Sequence, residues 1–253
     1  MIHIKSEAEI EQMRAAGKLV SDTFKMLQEY AVAGTATEKL DKLAHDFICD
    51  HGGTPSCLNY CGYPKTICTS VNEQVVHGIP GKYVLRDGDI VSCDIVAELS
   101  GWHGDATRTF LIGEVEPRVR DLVEVSRECF FEGLKFAKPG YRVSDISKAI
   151  QACAESHGYG VVEEYIGHGI GRQMHESPDI PNFYDPRRGK GARLLKGMVF
   201  AVEPMITLGS PRVRVLSDGW TAVTADGLAS AHYENTVAIT DGEPLILTMP
   251  VEE

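Results

Sequence analysis

Four acidic residues stand where the surrounding sequence calls for apolar side chains. Asp94 interrupts Ile90-Val-Ser-Cys-Asp-Ile-Val-Ala97, and Asp105 begins the segment that returns after a turn at Ser100-Gly101. Glu203 follows Met198-Val-Phe-Ala-Val202, and Glu234 lies within Ala231-His-Tyr-Glu-Asn-Thr-Val-Ala-Ile239. Carboxylates directed into a core repel one another and lose their charge unless a cation sits between them. Reading each as a salt-bridged or strand-end acid requires basic partners, and these strands offer only Arg108. Three histidines add to the set. His168, in Gly167-His-Gly-Ile-Gly171, and His175 lie in a glycine-rich segment, where the backbone can come close to a site. His77, in Gln74-Val-Val-His-Gly-Ile-Pro80, stands beside a turn. His51 and His157 are expected at helix C-termini, where an imidazole meets the helix dipole.

Four carboxylates with one imidazole make a hard, oxygen-rich set, short of the nitrogen and sulfur that zinc prefers. Such a set neutralises two divalent cations. If Asp105 and Glu234 bridge, the cations would sit about 3–4 Å apart, and a water shared between them would ionise near neutral pH and attack a carbonyl.

The elements that position these residues come in two copies. Residues 29–52 and 135–158 align without a gap at an offset of 106: Gly34 falls on Gly140, Leu40 on Ile146, and His51-Gly52 on His157-Gly158. Each copy reads as the end of one helix, a glycine turn, a polar cap (Thr35 or Thr37; Ser144) and a second helix closed by glycine. Helices are expected over 7–31, 36–51, 117–137 and 143–157. Strands are expected over 65–71, 88–99 and 105–112, then 197–206, 212–216, 220–224 and 231–239. Helix pairs followed by antiparallel strands, twice over, imply an α+β fold with helices on one face of a shared curved sheet. The chain is expected to be one catalytic domain, residues 1–253, of two pseudo-symmetric halves, about 1–115 and 116–253, with the ligands at their seam.

Composition narrows the function. The chain has 253 residues, enough for a full core, and its net charge of -11 argues against nucleic acid or an anionic membrane as main partner. No apolar run approaches a membrane span, and the first residues carry no signal-peptide core, so a cytoplasmic location is expected. Seven cysteines without CxxC pairing fit reduced thiols. Cys57, Cys61 and Cys68 are spaced by four and seven, which matches no common structural zinc pattern.

These segments together resemble type I methionine aminopeptidase, of the fold informally called pita-bread. The resemblance rests on Asn72-Glu-Gln-Val-Val-His-Gly-Ile-Pro80, Asp94 with His103-Gly-Asp105, Gly167 to His175, Phe200-Ala-Val-Glu-Pro204 and Glu234, and covers nearly the whole chain. It implies two divalent ions per chain, of cobalt, manganese or iron(II), with zinc or nickel less suited. Asp94 would chelate one, His168 and Glu203 would bind the other, and Asp105 and Glu234 would bridge. It further implies that His77 contacts the scissile amide nitrogen, that His175 polarises its carbonyl, and that Glu203 shuttles a proton. Cys57, Tyr60, Tyr63, Cys68 and Trp220 match the family's methionine pocket, where sulfur and aromatic faces suit a thioether. The implied activity removes N-terminal methionine from nascent proteins and peptides, favouring small second residues, in a monomer with transient ribosome contact. The chain departs from the pattern at Met174, His232 and Asn235, which bear on pocket shape and metal affinity. The alternatives are a proline dipeptidase or aminopeptidase P of the same fold, and, in another class, a non-catalytic ribosome- or RNA-binding relative.

Overall fold

The computed structural model describes residues 1–249, so the last four residues of the expected second half lie outside the described part. The first half contains helices α1 (Glu7–Leu27) and α2 (Thr37–Asp50) and strands β1 (Thr54–Pro55), β2 (Cys68–Val71), β3 (Gln74–Val76), β4 (Ile90–Leu99) and β5 (Trp102–Leu111). The second contains α3 (Pro117–Leu134), α4 (Val143–Ser156), β6 (Gly160–Val161), β7 (Gly167–Gly169), β8 (Glu176–Ile180), β9 (Val199–Val202) and β10 (Met205–Thr207). It continues with β11 (Val213–Val215), β12 (Ala222–Thr224), β13 (Ser230–His232), β14 (Glu234–Ala238) and β15 (Leu245–Ile246). No helix among the described residues is long and apolar enough to cross a membrane.

Both first helices stop short of their expected ends, at Leu27 and Leu134. The cause is the same in each half. Ala31 and Ala137 remain buried in the turn beyond the helix, so apolar periodicity outruns the hydrogen-bonded turns before Gly34 and Gly140 reverse the chain at positive φ. The expected polar caps also differ. Ser6 caps α1 in a reciprocal box with Glu9, but α2 starts at Ala36 without a side-chain cap, because the Thr37 hydroxyl is committed to both the N–H and the carbonyl of Gly81. At α4 the cap position is Arg142, whose N–H donates to Asp145.

Sheet pairing explains the strand boundaries. Strand β2 begins only at Cys68 because the amides of Thr66 and Ile67 donate to Asp41 of α2. The expected strand over 197–206 divides into β9 and β10 at Glu203-Pro204, where proline offers no N–H. The one over 231–239 divides into β13 and β14 at Tyr233. Strands β9 and β14 pair with each other in the nine-stranded sheet, whereas β10 and β13 pair in a smaller sheet with β6. Glu203 and Glu234 therefore stand where two segments of the chain pass between one sheet and the other.

Each helix pair packs on strands of its own half. One core gathers Leu19, Val20, Leu40 and Ile48 with Ile95 and Ala106; the other gathers Leu122, Phe130, Ile146 and Ile150 with Phe200 and Val237. Helix α1 lies so close to β5 that a Cβ on Gly104 would collide with the backbone of Gly17.

Candidate active site

The main sheet runs β1-β4-β5-β14-β9-β7-β8, and its five consecutive central strands each bring one of the expected ligands. Asp94 and Glu234 both stand opposite Thr107 from either side of β5, while Asp105 lies two residues earlier, on the same face. Glu203 follows directly on β9, and His168 sits in β7. The glycine-rich segment around His168 is thus a strand. Its glycines serve close packing, since a Cβ on Gly167 or Gly169 would strike the carbonyls of Ala201 or Ser177.

The distances are those of a shared centre. His168 Nε2 lies 3.5 Å from Asp105 Oδ2 and 3.7 Å from Glu203 Oε1. His168 Nδ1 is 2.9 Å from the Gly169 carbonyl, which takes its hydrogen and leaves Nε2 as the acceptor facing the acids. Asp105, His168 and Glu234 offer donor atoms all within 4.8 Å of one another. Thr107 Oγ1 donates to Glu234 Oε2 at 2.8 Å. Oδ1 of Asp94 and Oδ1 of Asp105 are buried without a hydrogen-bond partner.

Arg108, the one basic residue that could have neutralised the acids, does something else. Its Nη1 donates to the main-chain carbonyl of Glu234 at 2.6 Å and its Nη2 to Asn235 Oδ1, with the guanidinium over the Tyr233 ring. Among the described residues no lysine or arginine forms an ion pair with any of the four carboxylates. Their electrostatics follow. Burial pushes Asp94 up to about 6. Burial, then the neighbouring acid's charge, holds Asp105, Glu203 and Glu234 well above the ordinary carboxylate range. A divalent cation at this position would reverse those shifts, and the unpartnered oxygens fit its coordination.

A pocket of about 290 Å³ opens over the acids and is lined by every residue expected for metal binding, catalysis and methionine recognition. A family model for metallopeptidase family M24 matches residues 11–241. A methionine aminopeptidase of Clostridium acetobutylicum is 52% identical over 98% of this chain and 99% of its own length, and methionine aminopeptidase 1 of Bacillus subtilis is 47% identical over 98% and 99%. The chain belongs to the methionine aminopeptidases of metallopeptidase family M24. The crystal structure of the methionine aminopeptidase from Rickettsia prowazekii superposes with a TM-score of 0.96 at 41% identity, covering 98% of this chain and all of that one. A prolidase from Pyrococcus furiosus superposes at 0.80 but is 21% identical and is covered over 66% of its length, a likeness of fold alone. Membership of M24 carries the use of divalent metal and the α+β pita-bread fold.

Cys57, Tyr63, Cys68 and Val96 pack with Met174 into one buried cluster, against which Trp220 rests. The Trp220 ring meets Tyr63 edge-on at 5.2 Å. Hydrogen bonding to Cys68 and burial keep Cys57 a neutral thiol. Tyr60, 40% exposed, stands at the mouth, its hydroxyl 2.8 Å from His175 Nδ1. Burial, with His168, His77 and His103 nearby, lowers His175 to about 4, and burial lowers His77. Both are neutral at pH 7. His77 adopts φ +59, a left-handed conformation that side chains other than glycine rarely take.

His232 and Asn235 are built into the support. His232 lines the pocket, is lowered to about 3 by burial, and places Nε2 4.0 Å from Glu234 Oε2. Asn235 Oδ1 accepts from Arg108 and Thr248. Sequence reasoning missed Tyr165, whose ring meets His77 edge-on at 5.4 Å, and Ile166, both lining the pocket. Their position just before Gly167-His168 is the only signal the sequence holds for them.

Proposed function

We propose that this chain releases the N-terminal methionine of proteins and peptides with small second residues, and that residues 1–115 and 116–253 act as two halves of one catalytic unit. The observation that carries the reading is the row of five donors on adjacent strands, two of their carboxylate oxygens unpartnered, at the floor of a pocket of thiols, a thioether and aromatic rings. Asp94, Asp105, His168, Glu203 and Glu234 would hold two divalent ions, with Asp105 and Glu234 between them; manganese, cobalt and iron(II) suit this oxygen-rich set better than zinc or nickel. When bound, they would supply Lewis-acid polarisation and make water nucleophilic near neutral pH.

The chain's residues do the rest. Glu203, whose carboxylate reaches the pocket floor beside His168, accepts the water proton and returns it to the leaving amine. With the Tyr60 hydroxyl donating to Nδ1, neutral His175 keeps its hydrogen on Nε2 and donates it to the scissile carbonyl oxygen. His77, neutral and fixed between Tyr165 and Trp220, meets the scissile nitrogen. The methionine side chain fills the space between Cys57, Tyr60, Tyr63, Cys68 and Trp220, with Met174 as an adaptable wall. Net charge of -11 and seven free cysteines support a monomer in the reducing cytoplasm that acts on nascent N-termini, any ribosome contact being transient.

The test is a peptide panel varied at residues one and two, with metal-stripped protein and added metals. Cleavage of Met-Ala peptides restored by manganese, cobalt or iron(II), with poor cleavage of Met-Leu and Met-Lys, is expected. Full activity in excess chelator, or no preference for methionine, would overturn the reading.

A further inference from the structure

Helices α3 and α4 carry a second group of metal-ligand side chains that the pocket at the sheet does not use. Glu128 on α3, Cys153 on α4 and His157 at the C-cap of α4 offer one donor atom each, all within 4.8 Å of one another. Glu128 and Cys153 also line a groove of about 570 Å³ that shares no residue with the pocket at the sheet.

The geometry around His157 singles the group out. His157 Nδ1 lies 3.0 Å from the Cys153 main-chain carbonyl, which takes its hydrogen, so Nε2 presents a lone pair 3.8 Å from Glu128 Oε2. That is too far for a hydrogen bond. It is a few tenths of an ångström beyond the roughly 3.3–3.5 Å that tetrahedral bonds of about 2.0–2.2 Å set between nitrogen and oxygen donors, a gap that a small rotation of the exposed Glu128 side chain closes. Cys153 is 8% exposed, and its sulfur lies within hydrogen-bond reach of the buried Cys129 thiol.

The internal repeat supplies a control. His51 occupies the equivalent place in the first half, 106 residues earlier, and its Nδ1 likewise lies 2.8 Å from the carbonyl of Phe47. There the residue one turn back is a phenylalanine, and the imidazole stacks on it with ring centroids 4.1 Å apart. In the second half that position is Cys153. Where one half packs a ring under the histidine, the other sets a thiol, with a carboxylate opposite.

We propose that Glu128, Cys153 and His157 form a separate three-ligand site for a zinc-like divalent cation, tying α3 to the end of α4. One sulfur, one nitrogen and one oxygen select a borderline ion such as zinc or cobalt(II) over magnesium or calcium. A fourth position faces the groove and takes water. Binding releases the Cys153 thiol proton to solvent, so affinity rises with pH.

The experiment is a cobalt(II) titration of the full chain under a non-chelating reductant, following bound metal and the near-ultraviolet absorption of thiolate-to-cobalt charge transfer. The ligand set at the sheet contains no thiolate, so that absorption reports the new site. A charge-transfer band with an added equivalent of cobalt is expected. Cys153→Ser removes the band, and His157→Ala and Glu128→Gln each weaken the binding that produces it by about tenfold or more. All three keep the peptidase turnover, and Cys57→Ser and Cys68→Ser keep the band. Should Cys153→Ser fail to fold, the variants at His157 and Glu128, which change more exposed side chains, decide alone. Absence of the band, its persistence in Cys153→Ser, its persistence at full strength in both His157→Ala and Glu128→Gln, or its loss in Cys57→Ser or Cys68→Ser would overturn the proposal.

Discussion

A buried carboxylate with no cation keeps its proton to a higher pH than one in water, and four of them share the floor of this pocket. Asp94 is raised from 3.8 to about 6, and Asp105, Glu203 and Glu234 are raised well above their ordinary values. The stability these groups contribute without metal is fully present below their unfolded values and is lost as pH rises through the folded ones. His175 and His232, both lowered, act in the opposite sense. The gain in Tm on adding manganese to stripped protein should therefore grow as pH rises from about 4 through 6 and beyond, as fewer protons need displacing. Paired thermal melts with and without metal check this, and a gain that shrinks over that range would contradict it. His77 belongs at the same scale. His77→Ala should lower turnover by about 10²–10⁴, the range for losing a proton-transfer group, with metal content unchanged. Because φ is +59 there, His77→Asn, which tolerates that conformation better, should fold at least as well as the alanine variant and be as inactive. The acids were readable in the sequence because each breaks an apolar run, and buried charge must be matched. Tyr165 was not, because an aromatic beside a glycine turn looks the same whether it fills core or faces a substrate.

At the scale of elements, the site depends on how closely α1 approaches the hairpin that carries Asp94 and Asp105. Gly104 immediately precedes Asp105, and a side chain there would meet the backbone of Gly17 rather than a flexible side chain able to yield. Gly104→Ala should lower the denaturant midpoint by an amount equal to about 1–3 kcal/mol, with the dependence on denaturant unchanged, and should weaken metal binding by displacing Asp105. A variant as stable as the parent would show that the helix can move aside. Hairpin and helix pairs were legible because alternation and helical periodicity are strong signals over long segments. Strand β7 was not, since three residues, two of them glycine, carry no alternation, and its place is fixed by pairing with β8 and β9. The division of the expected strand at Tyr233 was likewise hidden, because only the pairing partners change there, whereas Pro204 marks the other break in the sequence itself.

For the whole molecule, two of the proposed ligands, Asp94 and Asp105, precede residue 116 and three, His168, Glu203 and Glu234, follow it, with separate cores behind them. Strands β5 and β14 meet through only two paired positions, Glu234 with Thr107 and Asn235 with Ala106, supported by Thr236, whose hydroxyl donates to the Asp105 carbonyl. A cation shared between Asp105 and Glu234 would thus act where only two residue pairs hold β5 to β14. Ligand binding to the folded state stabilises by mass action, and the protection appears where the binding energy must be given up for local opening. Metal addition to stripped protein should therefore slow amide exchange on β5 and β14 together, with smaller change in α2 and α4, as read by hydrogen–deuterium exchange of peptides from each strand. Protection confined to β9 and β14 would place both ions in the second half and separate Asp94 and Asp105 from the centre. Protection on both sides, lost on both sides in Glu234→Gln, would identify the ions as the clasp that joins the two copies of the repeat.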